Sequence, residues 1–88
     1  MKLIVAIVRD SDNDAVSHSL TQASFRVTYV ASTGGFLRKG QSTLMIGVED
    51  EVTEQALEII RNNVTHATEN DARQSIIFVL PVDQFHHF

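Results

Sequence analysis

The sequence reads as one α+β domain of ferredoxin-like type, a βαββαβ sandwich in which two helices cover one face of a four-stranded antiparallel sheet. Three observations predict it. Strand and helix periodicities follow one another in the order strand, helix, strand, strand, helix, strand. A Gly34-Gly35 break, with no helical stretch beside it, joins the second and third strands. The length of 88 residues allows a single domain, spanning 1–88, and little more.

Lys2 to Val8 is a short β-branched run and predicts the first strand. Asp10, Ser11, Asp12 and Asn13 are turn and N-cap types that would open a helix to about Ala23, with Val16, Leu20 and Ala23 on its apolar face. Phe25 to Ala31 alternates, with Phe25, Val27 and Tyr29 on one face and Arg26, Thr28 and Val30 on the other. A loop from Ser32 to about Gln41 follows. Thr43 to Glu49 predicts a third strand, with Leu44, Ile46 and Val48 on one face and Gly47 opposite, where a missing side chain permits close approach.

Glu49, Asp50 and Glu51 supply negative charge where a helix N-terminus favours it. Val52, Ala56, Ile59, Ile60 and Asn63 trace the stripe of the second helix, with Arg61 in its last turn. Val64 to Gln74 is a polar loop. Ser75 to Leu80 predicts the last strand, Pro81 interrupts it, and Val82 to Phe88 form a tail.

Two helices cover only one sheet face, so the other should carry alternating polar residues. Instead Leu3 to Val8 and Ile76 to Leu80 are apolar throughout, and the last strand is an edge in this topology. Either the open faces of several subunits pack together, which the small size of the chain favours, or the tail folds back over the sheet.

Seven Lys and Arg against eleven Asp and Glu give a formal charge of −4, which argues against a general nucleic-acid binder. The charge is unevenly spread. From Ala15 to Val48 there is no acid, and Arg26, Arg38 and Lys39 leave +3, a region suited to an anionic ligand. The absence of cysteine removes disulfides, a thiolate nucleophile and Cys-based zinc sites, and fits a cytoplasmic protein. The run Leu3 to Val8 is too short for a membrane span or a signal-peptide core. His18, His66, His86 and His87 have no ligand spacing, so no metal and no cofactor are expected. The acid-free segment places no carboxylate or histidine beside Ser32, Thr33 or Ser42, and no catalytic residue is assigned.

Ala31-Ser32-Thr33-Gly34-Gly35-Phe36-Leu37, then Met45-Ile46-Gly47-Val48-Glu49-Asp50, resemble the PII-like cyclic di-AMP receptor family of Gram-positive bacteria. Met1 to Ala6 and Phe78 to Phe85 extend the resemblance, which covers the chain except Val64 to Gln74. It implies a trimeric PII-like assembly of ferredoxin-like subunits with open sheet faces packed together. It also implies a signal receptor, not an enzyme, with one cyclic di-AMP in each cleft between neighbouring subunits.

Carried over by position, the family's ligand site falls on Arg26, Thr28, Gly35, Phe36, Leu37, Gln41, Gly47 and Phe78. Arg26 suits anionic phosphate oxygens and Thr28 offers a hydroxyl on the same face. Gly34 and Gly35 allow backbone N–H groups to line an anion-binding concavity. Phe36 and Phe78 offer apolar faces to adenine. Gln41 stands where the family usually has Asn, with the same donor and acceptor one methylene further out, and His87 stands where the family tends to have Gln. The family's loop before the last strand is longer than Val64 to Gln74.

The leading expectation is therefore a homotrimeric cyclic di-AMP receptor whose 33–41 loop changes with ligand and which signals to a downstream protein partner not readable from the sequence. The alternatives are a PII-type sensor of another adenine nucleotide such as ATP, a trimeric interaction scaffold without a ligand, and a small hydrolase.

Overall fold

The computed structural model describes residues 1–30, 40–64 and 75–83. Its elements run β1 (Lys2–Arg9), α1 (Asp10–Gln22), β2 (Arg26–Val30), β3 (Gln41–Val48), α2 (Thr53–Asn63) and β4 (Ile76–Pro81), with a short 3-10 turn at Asp50–Val52 before α2. The sheet order is β2-β3-β1-β4 and every neighbouring pair is antiparallel, the arrangement expected from the sequence.

Alternation along β1 and β3 separates the two layers. Ile4, Ala6 and Val8 of β1 and Leu44, Ile46 and Val48 of β3 point toward the helices and are buried with Val16 and Leu20 of α1 and Ala56 and Ile60 of α2. Burying each large aliphatic side chain contributes about 1.5–3 kcal/mol, so this layer carries most of the folding free energy. The helices are also tied laterally: Ser19 Oγ of α1 donates to Asn63 Oδ1 of α2 at 3.1 Å, and Asn63 is itself steadied within α2 by its Nδ2 donating to Ile59 O at 2.8 Å.

Element boundaries differ from the sequence reading in three places, each for a local reason. β1 runs straight into α1: the expected turn over Asp10 to Asn13 is absent, Arg9 is the extended N-cap residue, and no side chain caps the helix. Asp10 and Asp12 still favour the helix dipole from the first turn. β3 begins at Gln41 rather than Thr43, because Arg9 pairs with Gln41 and Asp10 N donates to Gly40 O at 2.8 Å. Ser42 Oγ also donates to Asp10 Oδ1, tying the start of β3 to the start of α1. Pro81 does not interrupt β4 but ends it, paired with Lys2 on an edge strand where its missing N–H costs no ladder bond.

α1 ends in a motif that aims β2. Phe25 N donates to Leu20 O at 2.9 Å and Ser24 N donates to Thr21 O at 3.0 Å. Ser24 sits in the left-handed region at φ 71°, a position usually given to glycine. This closure ends the helix and puts Arg26 at the first position of β2.

Candidate functional site

The strand registers arrange the sheet face opposite the helices in cross-strand rows. Arg26, Gly47, Leu3 and Leu80 form one row from β2 to β4; Thr28, Met45, Val5 and Phe78 form the next; Val30, Thr43, Ile7 and Ile76 form a third. Gln41 faces Arg9 one step beyond. The β1 and β4 half of this face is apolar, and the β4 side chains on it are open: Phe78 is 51% exposed, Leu80 47% and Ile76 42%. The sequence expectation of two apolar sheet faces is met. Residues 84–88 of the tail lie outside the described residues.

The first row contains a hole. Gly47 has no side chain between Arg26 and Leu3, and a concavity of about 440 Å³ opens there, lined by Arg26, Thr28 and Gly47. That volume lies in the range of small-molecule sites, about 300–1,000 Å³. Its other lining residues are Leu3, Met45, Met1, Val82 and Lys2, so the lining is mostly apolar beside the guanidinium-bearing strand position. A Cβ at Gly47 would lie 3.2 Å from Met1 Cε.

Backbone and charge both hold Met1 in place. Val82 N donates to Met1 O at 3.0 Å, and the N-terminal ammonium lies 2.9 Å from Asp50 Oδ1. That hydrogen bond, aided by the charge of Lys2, holds the Asp50 carboxyl below the usual carboxylate range.

Of the residues singled out from the sequence, the structure brings Arg26, Thr28 and Gly47 together at one end of the open face. Gln41 shares the face but lies six residues along β3 from Gly47, about 20 Å at the rise of an extended strand. Phe78 also shares the face, yet it lies on the far edge strand, three inter-strand steps or about 14 Å from Thr28, and does not line the concavity. Gly34, Gly35, Phe36 and Leu37 lie outside the described residues, as does 65–74 of the short loop. Among the described residues no cluster of His, Asp and Glu could hold a metal ion, and no helix is long and apolar enough to cross a membrane.

The sequence reading missed Met45, Leu3, Met1 and Val82. Met45 was legible, since it stands two residues from Gly47 on the same strand face. Met1 and Val82 reach the site only through the β1–β4 side of the sheet, which no local spacing encodes.

The third row holds one more polar group. Thr43 Oγ1 is buried and has no hydrogen-bond partner among the described residues.

Residues 1–75 match the cyclic-di-AMP receptor family, a stretch that includes all of β1, β2, β3 and α2. The chain belongs to this family. Within its matched stretch lie Arg26, Thr28, Gly35, Phe36, Leu37, Gln41 and Gly47, whereas Phe78 on β4 falls beyond it. A solved structure of a functionally unknown protein from Pediococcus pentosaceus ATCC 25745 is similar over 99% of this chain and 96% of that one, at 38% identity and a TM-score of 0.78. The structural likeness thus extends through β4, beyond the stretch that matches the family. Family membership also gives the concavity beside Arg26 a class of ligand to be weighed against, one that carries both phosphate and flat purine rings.

Proposed function

We propose that the protein is a signal-transduction receptor that binds cyclic di-AMP in clefts between the subunits of a homotrimer, without catalysing a reaction. The observation that carries this reading is the concavity over Gly47, which sets an arginine and a threonine hydroxyl beside apolar walls in a chain of the cyclic-di-AMP receptor family. A guanidinium suits phosphate oxygens and the apolar wall suits a base.

The spread of the remaining residues supports a site shared between chains. Gln41 and Phe78 sit far from Gly47 within one chain, and an apolar face with Phe78 half exposed gains by packing against another copy. A cleft between copies would draw the Arg26 end of one face toward residues of its neighbour. The 33–41 segment, with Gly35, Phe36 and Leu37, would close on the ligand and shift between states by its differential contact with it. Its state is the signal offered to a downstream partner.

Calorimetric titration tests the reading, with ATP and cyclic di-GMP as controls. Saturation near one cyclic di-AMP per chain is expected, with Arg26→Ala weakening it about tenfold or more, as loss of a charge-assisted hydrogen bond does. Heat with ATP and none with cyclic di-AMP would replace this ligand by another adenine nucleotide. No heat with any of the three would leave a scaffold.

A further inference from the structure

The chain has two methionines, Met1 and Met45, and both border the space over Gly47. Met45 stands next to Gly47 on the same face of β3, flanked across the strands by Thr28 and Val5. Met1 comes in from the other side, its Cε 3.2 Å from where a Gly47 Cβ would be. The Met1 backbone is held by the Val82 amide, so the side chain extends from a fixed base.

No aromatic residue lines this space among the described residues. Phe78 faces the same way but sits on β4, opposite Val5, with a whole strand between it and Met45. Leu3 is the other large wall, a branched chain held within its strand. Thioethers are unbranched and polarizable, and they make favourable contacts with aromatic rings while adjusting to fit.

We propose that Met1 and Met45 grip the flat ring of an adenine entering over Gly47, supplying the apolar contact that stacking on an aromatic side chain gives elsewhere. Arg26, across the strand from Gly47, is then beside the phosphate end of the same ligand. The inference rests on the cyclic di-AMP reading above and adds to it the residues that hold the base.

Labelling the methionine methyls with carbon-13 gives a two-resonance probe of the unmutated protein. Cyclic di-AMP is titrated in, and the heat of binding is measured in parallel. On saturation both methyl resonances should move upfield, shielded by the ring current of a base lying against them. Met45→Ala should weaken binding about two- to tenfold, the range of a sulfur–aromatic contact. Binding heat with either methyl resonance unmoved overturns the thioether assignment and leaves the receptor reading standing. Absence of heat overturns both.

Discussion

Gly47 is the direct cross-strand partner of Arg26, so the side chain it lacks is the space in front of the arginine's strand position. A glycine inside a strand is a cost in stability, about 0.5–1 kcal/mol relative to alanine. Here that cost coincides with a concavity that joins a cation to apolar walls.

Gly47→Ala should therefore separate stability from binding. The new methyl meets only the flexible tip of Met1 at 3.2 Å, which can give way. The variant is expected to resist urea slightly better than the parent, by about 0.5 kcal/mol, while losing affinity for cyclic di-AMP. Chemical melts and calorimetry on the same samples check both halves. Unchanged affinity would mean that the ligand does not approach Gly47.

Ser24 carries a comparable backbone cost at the other end of the path to Arg26. Its φ of 71° is unfavourable for a residue with a Cβ, by about 1–2 kcal/mol, and the helix closure built on it needs that conformation. Ser24→Gly should stabilise the protein by up to about 1 kcal/mol in a denaturant melt, since glycine adopts the conformation freely but loses more entropy on folding. A loss of stability would show that the serine side chain earns its place through a contact of its own.

These two positions illustrate what was readable from the sequence. Strict alternation around Leu44, Ile46 and Val48 announced the layers, because a strand's two faces follow from a period of two. The strings Ser-Thr-Gly-Gly-Phe-Leu and Met-Ile-Gly-Val-Glu-Asp announced the family, and with Arg26, Thr28 and Gly47 on one face they led to the concavity. The wall made by Met1 and Val82 was not legible, since it depends on which residues meet across antiparallel strands far apart in the chain. Nor was Ser24, a residue type with no preference for the left-handed region. The start of α1 was misread because Asp10 to Asn13 resemble a turn, while the Gly40 carbonyl supplies the partner for the Asp10 amide instead.

Thr43 offers a third test, on the open face. A buried hydroxyl without a partner costs about 1–3 kcal/mol, and removing it relieves that cost. Thr43→Val should raise the melting temperature, an increase equivalent to about 1 kcal/mol, because valine also favours a strand. A comparable fall would mean that the hydroxyl finds a partner beyond the described residues, in this chain or on a neighbouring copy.

Native mass spectrometry with cyclic di-AMP tests whether the ligand is held between copies of this chain. A species of three chains that takes up as many as three ligands is expected, with no ligand on single chains. Cyclic di-AMP carried by the monomer would contradict it, as would a trimer that binds none.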